Sequence, residues 1–134
     1  MIVNTAYPFM GKKGPAINPN IWENGVVNYP YSGNAQFQAQ YNRFYFYVGY
    51  REYFTLPLKN FTKIVFSVRG SGSSNCLATI YIDGDATATK KEYTFGLSDR
   101  NIEYEIPESH RNDNTVVVFY ATRSAQYVNA GVMS

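Results

Sequence analysis

From Gly25 onward the chain runs in short stretches of alternating apolar and polar residues, broken repeatedly by Gly, Pro, Asn or Asp. Side chains on a β-strand point to opposite faces in turn, so a two-residue period specifies strands with one buried and one outward face, and the breaks specify turns. No stretch carries the 3.6-residue period of an amphipathic helix. Ile64, Phe66 and Val68 alternate with Val65, Ser67 and Arg69, and Ala78, Ile80 and Ile82 share one side. Asp83-Gly84 is a hairpin signal leading through residues 85–91 into Tyr93, Phe95 and Leu97. Ile102, Tyr104 and Ile106 alternate with Glu103 and Glu105 before Pro107. Val116 to Tyr120 is apolar on both faces, the pattern of a central strand covered on both sides, and a last strand is expected over about Tyr127 to Met133. Roughly eight or nine such strands predict an all-β fold, an antiparallel two-sheet β-sandwich of jelly-roll type.

Residues 1–24 follow no such period. Pro8, Pro15 and Pro19, with Gly11 and Gly14, predict an extended arm. Tyr7, Phe9, Ile17, Ile21 and Trp22 are expected to pack this arm on its own domain or on a neighbouring copy. The sandwich is then residues 25–134, and a chain of 134 residues is the size of one domain.

The strand pattern also collects a candidate contact surface. Ala35, Phe37, Ala39 and Tyr41 alternate with Asn34, Gln36, Gln38 and Gln40, and then Phe44, Phe46 and Val48 point one way while Arg43, Tyr45, Tyr47 and Arg51 point the other. If these two strands are neighbours, Gln36, Gln38, Gln40, Arg43, Tyr45 and Tyr47 form one outward stripe of amides, a guanidinium and phenols. Aromatic rings offer flat faces to sugar C–H groups, and amides and guanidinium groups hydrogen-bond hydroxyls, so the stripe suits a glycan. It suits another protein subunit too, and that contact is the one favoured, because Tyr and Arg are enriched at interfaces; a homo-oligomer is among the expected states. The alternatives are that the arm covers the stripe, or that contacts use the loop over residues 70–75 and the loops around Arg100 and Arg111.

Other chemistries lack their groups. A net charge of +2 with dispersed Lys and Arg gives no basic footprint for nucleic acid. Charged residues make up only 16% of the chain, so its surface must be polar chiefly through Asn, Gln, Ser, Thr and Tyr. One His and one Cys cannot build a structural zinc site, and lone Cys76 has no disulfide partner. His110, beside Ser109 and close to Asp113, is too near both in sequence to form a triad that normally converges from separate parts of a fold. Glu103 and Glu105 share an outward strand face and do not face each other across a cleft. The chain is therefore not expected to be an enzyme, although a small glycan-active hydrolase on the same fold is the third alternative. Asp83, Asp85, Asp99, Asn101, Asp113 and Asn114 lie in loops that calcium could use, yet turn formation accounts for each, and no cofactor is expected. Residues 1–10 do not read as a signal peptide and no apolar run approaches about 18 residues, so synthesis in the cytoplasm without membrane insertion is expected.

Three segments carry a family resemblance: the opening Met1 to Pro8, the strand Phe61 to Val68, and the ending from Ile102 to Pro107 through Val116 to Ala121 into the final strand. In these the chain resembles galactose-binding-like jelly rolls, both carbohydrate-binding modules and the short sandwich domains of tail or baseplate proteins of phages and prophages of Firmicutes. The resemblance implies a non-enzymatic virion component, a phage-tail-associated module contacting a glycan or another tail subunit. The alternative it implies is a free-standing carbohydrate-binding module at a bacterial surface.

Overall fold

The computed structural model describes residues 20–71 and 76–134, and the expectations for residues 1–19 and 72–75 lie outside them. Twelve strands are described: β1 (Trp22–Glu23), β2 (Val26–Val27), β3 (Tyr31–Gly33), β4 (Gln36–Gln38), β5 (Arg43–Phe46), β6 (Arg51–Leu56), β7 (Lys63–Gly70), β8 (Cys76–Ile82), β9 (Lys91–Phe95), β10 (Arg100–Glu105), β11 (Thr115–Ala121) and β12 (Ala125–Met133). Apart from the small β1-β2 hairpin, they form two five-stranded antiparallel sheets, ordered β4-β5-β12-β7-β10 and β3-β6-β11-β8-β9. The all-β sandwich expected from the alternation is therefore the observed fold.

The strand order has a simple logic. From β3 onward every connection passes from one sheet to the other except β4-β5 and β8-β9, which join neighbours within a sheet. Successive crossings place β11 and β12 at the centres of their sheets. The first sheet is called the amide sheet below, and the second the tyrosine sheet.

The inward phase of both sheets closes one core. Phe54 and Phe66 each pack on Phe119 with ring centroids 5.3 Å apart, and Tyr127 joins Phe46, Phe66 and Phe119 at 4.8, 5.6 and 5.2 Å. Each fully buried aromatic contributes about 1.5–3 kcal/mol of burial free energy, with edge-to-face contacts adding to it. Ile21 and Trp22 belong to this core. Trp22 packs on Phe44 and Phe54, and its indole N–H donates to the Asn42 carbonyl at 3.1 Å. β5 pairs with β12 only as far as Tyr127, where β12 bulges. Past that point the Ile21 N–H donates to the Ala130 carbonyl and Asn20 bridges Gly131, taking the edge that β5 has left.

Four local expectations are corrected. Residues 39–41 form a 3-10 turn and not a strand, closed by Asn42 in the left-handed conformation (φ 54°), so Tyr41 is 60% exposed. β5 ends at Phe46 and β9 at Phe95, which leaves Val48 and Leu97 exposed in the turns that follow. Asp83-Gly84 is followed by a one-turn helix, α1 (Ala86–Thr89), before β9. The Thr89 hydroxyl donates to the Asp85 carbonyl and accepts from the Ile82 N–H, a side-chain closure that alternation does not reveal. Arg51 shares the outward phase of Arg43 and Tyr45 but lies on β6 in the tyrosine sheet and not beside them, because the chain changes sheet between Phe46 and Arg51.

Candidate functional site

The outward face of the amide sheet gathers five of the six stripe residues. Register sets Gln36 opposite Tyr45 and Gln38 opposite Arg43. Tyr47 follows the end of β5 with its ring 5.1 Å from Tyr45 and 5.5 Å from Tyr50. Gln40 is in the 3-10 turn and off the strand face. Gln126 of β12 and Arg69 of β7 extend the row. The Arg43 guanidinium donates to Gln38 Oε1 at 2.7 Å and to Gln126 Oε1 at 2.9 Å. Arg69 donates to the same Gln126 oxygen at 3.1 Å and to Asp99 Oδ1 at 3.1 Å. The Tyr45 hydroxyl meets Ser71 Oγ at 2.8 Å. Most polar groups of this face are thus paired with each other, and a ligand hydroxyl would have to displace a hydrogen bond already made.

The outward face of the tyrosine sheet is different, and sequence reasoning missed it. Tyr53 of β6 and Tyr81 of β8 flank Val118 of β11 in register, and Arg51 and Thr79 flank Tyr120 in the next row. Val118 has 0% exposure yet is outside the main core cluster, since its phase points it away from the interior. Its nearest described neighbours on this face are Tyr53 and Tyr81, one on each adjacent strand. Tyr53 and Tyr81, on strands two ladder spacings apart, sit about 10 Å from each other along the sheet.

Arg51 crowns the second row. Its guanidinium carbon lies 4.1 Å from the Tyr120 ring centroid, a cation–π geometry, and its Nε donates to the Tyr81 hydroxyl at 3.2 Å. Its two terminal nitrogens have no hydrogen-bond or ion-pair partner among the described residues. Thr79 Oγ1 is buried without a partner, and Glu92 on edge strand β9 ends the row, exposed.

The strand that carries Arg51 and Tyr53 is latched to the β3-β4 crossover. The Arg51 N–H donates to Asn34 Oδ1 at 2.9 Å, and the Asn34 N–H donates to the Arg51 carbonyl at 3.1 Å. Inward-pointing Glu52, 1% exposed, accepts from the Ala35 N–H at 3.1 Å. Burial pushes the Glu52 carboxyl up to about 7, partly offset by that backbone hydrogen bond.

Among the described residues, groups suited to catalysis or metal binding do not converge. His110 Nε2 meets Asp85 Oδ2 at 2.8 Å, not Ser109 or Asp113. Glu103 is exposed and paired with Lys63 at 2.9 Å. Among the described residues no three His, Cys, Asp or Glu side chains come together, and no helix is long and apolar enough to cross a membrane.

Comparison of the sequence with protein families and with curated proteins finds no match. Solved structures do match the fold. The chain is similar to the ligand-free module CBM1 of BiXyn10A, with a TM-score of 0.62 and 10% identity over 88% of this chain and 98% of that one. It is similar also to the family 11 carbohydrate-binding module of the cellulosomal cellulase Lic26A-Cel5E of Clostridium thermocellum, with a TM-score of 0.51 and 12% identity over 92% and 97%. The chain therefore has the β-sandwich fold of carbohydrate-binding modules.

Proposed function

We propose that this chain is a non-catalytic carbohydrate-binding module that lays a glycan across the tyrosine sheet. The observation that carries the reading is the pair Tyr53 and Tyr81 on either side of covered Val118, next to Arg51 stacked on Tyr120. Half-buried phenol rings supply apolar faces held in place by the sheet, and their hydroxyls with Arg51 supply hydrogen bonds of fixed direction. A span of about 10 Å between the two rings leaves room for a short run of pyranose units. The fold shared with two carbohydrate-binding modules supports this reading.

Affinity electrophoresis in a panel of soluble polysaccharides tests it. Tyr53→Ala and Tyr81→Ala are expected to abolish retardation that Tyr45→Ala and Tyr47→Ala leave intact. The reverse pattern would move the site to the amide stripe. Absence of retardation of the unmodified protein in every polysaccharide would overturn carbohydrate binding, and turnover of any of them would overturn the non-catalytic assignment.

A second reading, contact with another protein subunit as in a phage tail, is favoured by one feature. Tyr41, Tyr47 and Val48 are 60%, 51% and 66% exposed around β5, at the border of the amide stripe. The comparisons add nothing to it. A monomer by light scattering at high concentration would remove the self-associating form of this reading.

A further inference from the structure

We propose that the glycan bound on the tyrosine sheet is acidic, and that the terminal nitrogens of Arg51 take its carboxylate. The proposal rests on the carbohydrate reading above and names the ligand class. Two contacts orient Arg51: its guanidinium carbon lies over the Tyr120 ring, 4.1 Å from the centroid, and its Nε is spent on the Tyr81 hydroxyl at 3.2 Å. A guanidinium so held keeps one edge open, the edge of Nη1 and Nη2, whose parallel N–H groups match the two oxygens of a carboxylate.

The two arginines on the opposite sheet face are held differently. Arg43 is bonded to two amide oxygens, and Arg69 to an amide oxygen and a carboxylate. Arg51 has no carboxylate partner among the described residues. Neighbouring Glu52 points into the core toward the Ala35 N–H. Glu92 ends the same row three strand spacings away, about 14 Å, beyond the screening length at physiological salt.

Energetics favour an anion over a neutral sugar. A glycan lying on Tyr53 and Tyr81 strips water from Arg51, and covering a charge that has no counter-ion is costly. A uronate supplies the counter-ion at the point of contact. A neutral hydroxyl offers a hydrogen bond and leaves the charge uncompensated.

The test measures binding of the whole chain to alginate, polygalacturonate and glucuronoxylan, each beside its carboxyl-reduced form, with a neutral β-glucan and a mannan alongside. The expected result is binding to at least one acidic polymer that weakens about tenfold or more on carboxyl reduction and on raising salt. Arg51→Gln should lose the preference while keeping the melting temperature, and Arg51→Lys should keep part of it, since the charge remains and the paired geometry is lost. Equal binding to native and reduced forms, or binding only to neutral polymers, overturns the acidic-ligand proposal and leaves the module reading standing. No binding to any polymer overturns both. If Arg51→Gln lowers the melting temperature, the carboxyl-reduction comparison on the unmodified protein decides alone.

Discussion

Glu52 and Ala35 join the two sheets: the buried carboxyl of one strand receives the backbone N–H of the segment that carries the chain across to the other sheet. Burial desolvates the carboxyl and raises its folded value to about 7, above the ordinary 4.5. Between these values the folded chain binds more protons than the unfolded one, so stability must fall as pH rises. It is fully present below about pH 4.5, declines through about 7, and is flat above. Glu52→Gln keeps an acceptor for Ala35 and removes the ionisation. Urea denaturation should therefore show Glu52→Gln more stable than the parent at pH 8, by roughly 3 kcal/mol at most, and similar to it at pH 4.5. Parallel curves for the two proteins over that range would show that Glu52 is not the titrating group.

Gly33 is the other requirement of this crossover. A Cβ at Gly33 would lie 2.3 Å from the Arg51 carbonyl oxygen and 2.7 Å from Glu52 Oε1, on a backbone with φ of +153°. The first obstacle is backbone in a paired strand and has nowhere to go. Gly33→Ala should cost about 3 kcal/mol, at the upper end for overpacking. Gly96→Ala, where nothing lies within 4 Å, should stay within about 0.5 kcal/mol. Chemical denaturation of both variants provides the check, and equal stability of the two would refute the steric account.

The inward half of the fold could be read from alternation, because period two is a statement about faces. Phe44, Phe46, Ile64, Phe66, Ile80, Ile102 and Ile106 all point where their phase directs and are buried. Alternation does not say where a strand stops: Tyr41, Val48 and Leu97 keep the inward phase yet lie exposed in turns. It also does not say which sheet a strand joins. Arg51 has the outward phase of Tyr45 but faces out of the opposite side of the molecule, since β5 and β6 are joined by a crossing. Tyr53, Tyr81 and Tyr120 occupy the outward phase of three strands that only the β6-β11-β8 register brings together. The available signal was Val116 to Tyr120, apolar on both faces. Among the described residues, Val118 is flanked on this face by Tyr53 and Tyr81.

Tyr81 tests whether Arg51 must be held to act. Tyr81→Phe keeps the ring beside Val118 and removes the oxygen that accepts from Arg51 Nε. A partly exposed hydrogen bond to a charged group contributes about 1 kcal/mol or somewhat more, so glycan affinity should fall about fivefold to tenfold while Tyr53→Phe changes it less. Isothermal titration with the best-binding polysaccharide measures both. Equal effects would mean that the hydroxyls serve the ligand directly and Arg51 needs no anchor.

Gln126 separates the two faces. Its Oε1 accepts from both Arg43 and Arg69 at the centre of the amide sheet, and the row ends on Asp99. Gln126→Ala leaves two half-buried guanidinium groups each short of an acceptor, which should cost about 1–2 kcal/mol of stability, less whatever water restores. Because the network is on the face opposite Tyr53 and Tyr81, glycan affinity should be unchanged at a temperature well below the melting transition. Urea titration and affinity electrophoresis on the same variant give the two readings. Loss of binding with stability intact would place the glycan on the amide sheet, in contact with Arg43 and Arg69, and would reverse the assignment of faces made here.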